Sequence, residues 1–228
     1  MPSRKYLFIA LAGALAALAL YLIVKIATDR FQQITTPLGK ELSAPAKITN
    51  LIKPQSPLAK VVEGSLQDAA GTYAVVVKNL GTGQEYNLNE NREFTSASLY
   101  KLWVMATAFE QIKAGTLKED EVLTKTEKEL NEIQEIKTEE EPRGSISMTV
   151  EKAIESMIIV SDNNAAVLLT ERLGHQKITA FLQNHNFSSS SYNSPPRATA
   201  GDMAALYEKL ARGEIINRQS SDKMLALL

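Results

Sequence analysis

The sequence predicts an α+β fold, an α/β sandwich in which a helical subdomain packs with an antiparallel sheet, behind one transmembrane helix at the N-terminus. Three observations carry this reading. Tyr6 to Val24 is an unbroken run of about nineteen apolar or small residues, long enough to cross a bilayer as a helix. Two short β-rich runs flank the turn Gly81-Thr82-Gly83, the pattern of an antiparallel hairpin. Most of the remaining chain has apolar residues at helical spacing, in segments opened by Ser, Thr or Asp and often closed by Gly.

In chain order, residues 1–5 carry Arg4 and Lys5 and are expected to remain in the cytoplasm, because basic residues flanking a membrane helix are retained on that side. Residues 6–26 form the signal anchor. The small-x-small triplet Ala17-Leu18-Ala19 lies inside the apolar run rather than after it, which favours an uncleaved anchor over a cleaved leader. Residues 27–57 contain Pro37, Pro45, Pro54 and Pro57 without sustained periodicity and read as a stalk. A single domain is expected over residues 58–228, outside the cell membrane.

Within that domain, Leu58, Val61, Val62 and Leu66 fall at helical spacing, and Gly71 separates them from a strand over Thr72 to Lys78. Glu85 to Leu88 completes the hairpin. A helix to about Lys113 follows, capped by Thr95, Ser96 or Ser98, with Leu102, Met105, Phe109 and Ile112 as its apolar stripe and Gly115 as its stop. Lys118 to Arg143 is crowded with both charge signs, and its Glu139-Glu140-Glu141 run reads as a solvated face with no chemistry. Thr149 caps the next helix, which stops at Ser161. Helices from about Ala165 to Leu173 and from Lys177 to Gln183 come next, then a Ser/Pro-rich loop from Ser188 to Pro196. A helix opens at Thr199-x-x-Asp202 and closes near Gly213, and Lys223 to Leu228 has the pattern of an amphipathic helix.

Composition narrows the function. A formal net charge of -1 with no clustered Lys/Arg excess excludes a dedicated nucleic-acid surface. The absence of cysteine excludes disulfides and thiolate metal sites. His175 and His185 lack metal-ligand spacing and read as surface or loop residues, so neither metal nor cofactor is expected. The expected partner is a small molecule or cell-wall material, and the expected state is a monomer.

The chemistry concentrates in Ser98-Leu99-Tyr100-Lys101 and, about sixty positions later, Ser161-Asp162-Asn163. A hydroxyl is a poor nucleophile at its free pKa and needs a neighbouring base. A lysine one helical turn after Ser98 lies on the same face and can supply one. The two groups are expected to be hydrogen-bonded to each other in one crevice, opposite Ser161 and Asn163. S-x-x-K and S-D-N are two of the three signature motifs of class A β-lactamases and penicillin-binding proteins. The longer strings Phe94 to Leu102 and Met157 to Ala166, with Gly115-Thr116-Leu117, Leu173-Gly174 and Arg197 to Met203, resemble that superfamily of serine hydrolases.

The resemblance implies a β-lactamase/transpeptidase-like fold and a reaction through a covalent acyl-enzyme on Ser98, opening a β-lactam or related amide. It casts Lys101 as the activating amine and Ser161 as the donor of a proton to the departing nitrogen. Asn163 would donate a hydrogen bond to the substrate's side-chain amide, and Asp162 would tie the loop together from behind. Two alternatives share the fold: a D-Ala-D-Ala peptidase acting on peptidoglycan, and a non-catalytic module that binds the cell wall.

Two departures from the family pattern stand out. Residues 188–196 contain no carboxylate, where class A enzymes keep a Glu that activates the deacylating water, so slow deacylation is expected. No K-T-G motif occurs, and the domain is expected to be C-terminally incomplete, lacking sheet strands and an oxyanion donor. Low stability and low activity are expected of such a chain.

Overall fold

The computed structural model describes residues 56–138 and 142–228. The anchor read at 6–26, most of the stretch 27–57 read as a stalk, and the acidic run 139–141 lie outside the described residues. Among those described, no helix is long and apolar enough to cross a membrane.

Helix α1 (Pro57–Leu66) begins at Pro57, with Ser56 as N-cap accepting from Ala59 N–H; proline suits this position because its missing N–H would have been unpaired. Strands β1 (Val75–Lys78) and β2 (Glu85–Leu88) form the expected hairpin, pairing Val75 with Leu88 and Lys78 with Glu85. β1 is shorter than the β-rich run. The other ladders are β3 (Phe94–Thr95) with β6 (Arg197–Ala198), and β4 (Val122–Thr126) with β5 (Ser145–Thr149). The expected antiparallel sheet is therefore present as three separate two-stranded ladders among the described residues.

Helix α2 (Tyr100–Lys113) is the centre of the domain. Every residue from Lys101 to Phe109 is buried, so the helix is apolar nearly all round instead of showing the single stripe read from its sequence. Its neighbours are α4 (Val150–Ile159), α5 (Asn163–Leu173), α6 (His175–Asn184) and α8 (Arg218–Leu225). Trp103, 1% exposed, packs edge-on to Tyr192 with ring centroids 6.4 Å apart. The buried Thr107 hydroxyl is satisfied by Trp103 O at 2.8 Å. Helix α7 (Ala200–Arg212) covers β1 and is tied to it by Lys78 and Glu208 at 2.7 Å. Thr199 caps α7 by accepting from Asp202 N–H, and Gly213 ends it at φ 75°, a left-handed position that glycine adopts without steric cost.

No side-chain cap opens α2. A 3-10 turn, Ala97–Leu99, precedes it, so Thr95, Ser96 and Ser98 do not cap the helix and the Ser98 hydroxyl is left for other partners. The charged stretch before β5 also folds, into β4 and α3 (Glu127–Ile133). His185 is not a surface residue: it is half-buried between Phe181 and Phe187, with ring centroids at 4.4 and 6.0 Å.

Candidate active site

The β3–β6 ladder positions Ser98. Thr95 pairs with Arg197, and Ser96 N–H donates to Pro196 O at 2.9 Å, so the chain is pinned just before the 3-10 turn. Ala97 then takes φ 45°, a left-handed conformation costing of order 1 kcal/mol for a residue with a Cβ. Ser98 follows it, exposed at the mouth of the site.

Lys101 lies in the first turn of α2 and is only 2% exposed. Its Nζ donates to Ser161 O at 2.6 Å, to Ser161 Oγ at 3.0 Å and to Asn163 Oδ1 at 2.8 Å. Ser98 Oγ lies 3.1 Å from Ser161 Oγ. The expected direct bond between Ser98 and Lys101 is replaced by a bridge through Ser161. The reason is the backbone at the α4–α5 junction: Ser161 sits at φ 56°, which turns its hydroxyl and its carbonyl towards the amine together.

Asp162 holds that junction. Its Oδ1 accepts from Asn164 N–H at 2.8 Å and Ala165 N–H at 3.1 Å, capping α5, while its own N–H donates to Ser156 O at 3.1 Å. Asn163, the first residue of α5, thereby turns its carboxamide into the crevice. Lys101 takes Oδ1 and leaves Nδ2 for another acceptor.

Removal from water holds the Lys101 amine below the ordinary lysine range, with the Asp162 charge partly opposing that shift. An ammonium would spend its N–H groups on the three acceptors named. A neutral amine has two N–H groups and a lone pair. Ser161 O and Asn163 Oδ1 can only accept from it, so Ser161 Oγ–H is the one contact able to donate to that lone pair. The arrangement thus allows an unbroken proton line from Ser98 through Ser161 to Lys101.

The sequence reading missed Gln134. Its Nε2 donates to Asn164 Oδ1 at 2.8 Å and to Leu130 O at 3.2 Å, joining the end of α3 to the start of α5 beside Asn163. The signal was present: Thr126 and Glu129 form a reciprocal capping box, and Thr-x-x-Glu marks a helix start inside the charged run. Among the described residues, no group of three or more His, Asp or Glu is arranged to hold a metal ion.

A family model described as the beta-lactamase enzyme family matches residues 56–228. Among solved structures, PBP-A is similar with a TM-score of 0.64 at 22% identity, over 75% of this chain and 68% of its own. A beta-lactamase from Sphaerobacter thermophilus gives 0.63 at 20% identity, over 75% and 68%. A PBP-A mutant solved as an acyl-enzyme complex with penicillin G gives 0.62 at 22% identity, over 74% and 66%. At these identities the likenesses establish the fold. No curated protein matches the chain.

Proposed function

The chain belongs to the beta-lactamase enzyme family, and from that premise we propose that it is a serine hydrolase that opens a β-lactam or related amide through an acyl-enzyme on Ser98. The observation that carries this reading is the line Ser98 Oγ, Ser161 Oγ, Lys101 Nζ, with steps of 3.1 and 3.0 Å ending on a buried amine. Neutral Lys101 takes the Ser161 proton while Ser161 takes the Ser98 proton, and Ser98 Oγ attacks the carbonyl carbon. The developing oxyanion meets the Ser98 backbone N–H at the positive end of α2. Collapse breaks the C–N bond as the proton held on Lys101 passes back through Ser161 to the leaving nitrogen. Asn163 Nδ2 holds the substrate's side-chain amide. Water then cleaves the ester and restores the Ser98 hydroxyl.

PBP-A, which shares the fold, forms an acyl-enzyme with penicillin G in a mutant form. The same acylation chemistry serves a peptidoglycan peptidase. The loop at 188–196, without a carboxylate, favours that second reading because nothing in it activates a deacylating water. The apolar run from Tyr6 to Val24 supports action outside the cytoplasmic membrane. Benzylpenicillin and a chromogenic cephalosporin separate the readings. Rapid colour turnover identifies a lactam hydrolase, a lasting mass adduct without turnover identifies the peptidase, and neither adduct nor turnover contradicts both.

A further inference from the structure

Asn163 and Asn164 open α5 side by side and are held from different directions. Asn163 Oδ1 accepts from Lys101 Nζ on α2 at 2.8 Å, and Asn164 Oδ1 accepts from Gln134 Nε2 at the end of α3, also at 2.8 Å. Successive residues of a helix project about 100° apart, so the two bonds brace the first turn of α5 on two sides. Asp162 caps the same turn through Asn164 N–H and Ala165 N–H.

The brace starts from a rigid point. Helix α3 ends in a Schellman arrangement, in which Ile136 N–H donates to Asn131 O at 2.9 Å and Glu135 N–H to Glu132 O at 3.2 Å. Glu135 takes φ 55° there, a left-handed position that costs a residue with a Cβ. Gln134 is the C-cap, and its half-buried side chain folds back over the helix. Its Nε2 carries two N–H groups and has a partner for each, Leu130 O at 3.2 Å and Asn164 Oδ1. Leu130 O can only accept, so the nitrogen end of the carboxamide must face it, and the second N–H is thereby aimed at α5. Lys101 holds only the oxygen of the Asn163 carboxamide. The direction of Asn163 Nδ2 is set by the backbone of the braced turn, and a misplacement of 1 Å at such a group is enough to cost about 10²-fold in rate.

We propose that Gln134 is a positioning residue: acting through Asn164, it holds the first turn of α5 so that Asn163 Nδ2 meets the side-chain amide of the substrate. This role rests on the Ser98 acyl-transfer reading. The probes are benzylpenicillin, with a side-chain amide, and 6-aminopenicillanic acid, with an amine in its place, each applied to the full-length protein and followed by intact mass. The ratio of the two acylation rate constants reports on amide recognition, because a change in Lys101 basicity or in the folded fraction moves both rates together. Gln134→Met removes both donors at similar volume, and the ratio should fall by about tenfold, the scale of one lost hydrogen bond. Asn164→Ala, which removes the acceptor instead, should match it. Asn164→Asp keeps an acceptor for Gln134 and should hold the ratio within about twofold of the parent. A ratio unchanged in Gln134→Met and Asn164→Ala, a ratio lost as fully in Asn164→Asp, or a parent ratio near unity overturns the positioning role alone. Absence of a Ser98 adduct on the parent chain with benzylpenicillin overturns the acyl-transfer reading, and this role with it.

Discussion

Ser161 Oγ stands 3.1 Å from Ser98 Oγ, so the hydroxyl nearest the candidate nucleophile belongs to the second motif rather than to the lysine of the first. The same Ser161 oxygen is 3.0 Å from Lys101 Nζ. One side chain thus connects a surface hydroxyl to an amine that is 2% exposed. Burial lowers the amine's proton affinity, and the bridge lets that basicity act at a position the amine does not touch.

Ser161 holds a left-handed backbone at φ 56°, which makes two substitutions diverge. Ser161→Gly removes both the bridge and the steric cost. Acylation should slow by a factor of about 10² to 10⁴, while the melting temperature rises by about 2–4 °C if roughly 1 kcal/mol of strain is released. Ser161→Ala should slow acylation equally without raising the melting temperature. Stopped-flow acylation and calorimetric melting on the two variants check this.

Lys101 gives the acylation rate a rising limb. The amine is held below the ordinary value of 10.5, so the rate climbs with pH as the folded protein loses this proton, with a midpoint below that value. The unfolded chain keeps its proton up to the ordinary value, so stability from this group also rises with pH between the folded and ordinary values. Lys101→Arg should abolish acylation at every pH, because guanidinium does not deprotonate in this range. A pH profile of adduct formation measures both effects.

Asp162 is two things at once, a helix cap and a charge near Lys101. Asp162→Asn keeps a capping oxygen of comparable quality and removes the charge that raises the Lys101 pKa. The midpoint of the acylation profile should move to lower pH, with the melting temperature within about 2 °C of the parent, the shift expected from about 0.5 kcal/mol. An unmoved midpoint would show that Lys101 does not feel Asp162.

Deacylation is expected to be the slow step, since residues 188–196 contain no carboxylate. Quenched mass spectra of the parent chain with benzylpenicillin should show the adduct accumulating to stoichiometry and then decaying more slowly than it formed. Decay faster than formation would require a base outside that loop.

The sequence shows where the site lies because motif and element boundaries coincide. Thr149, Thr199 and Gly213 mark helix ends through local hydrogen bonds and backbone preference, which are readable in a few residues. Less legible was anything set by distant contacts. Helix α2 reads as a one-sided helix because its burial on all sides depends on α4, α5, α6 and α8 arriving around it. The 3-10 turn at Ala97–Leu99 depends on the pairing of Thr95 with Arg197 across a hundred residues, so the hydroxyls before α2 read as caps. β4 lies inside the charged run and buries only Leu123, while β5, just after that run, alternates polar and apolar residues over only five positions, too short a signal to reveal a ladder that pairs Leu123 with Met148. The bridging role of the Ser161 hydroxyl follows from one positive φ angle, which no side-chain pattern announces.

The central claim, that Ser98 is the acylated nucleophile, is tested most directly by intact-mass spectrometry of the parent chain and Ser98→Ala after incubation with benzylpenicillin. Ser98 is exposed, so the substitution should leave the fold intact. The account predicts one adduct on the parent chain, mapped to the peptide containing Ser98, and none on Ser98→Ala. Equal labelling of the two proteins, or an adduct mapped to another residue, would contradict it.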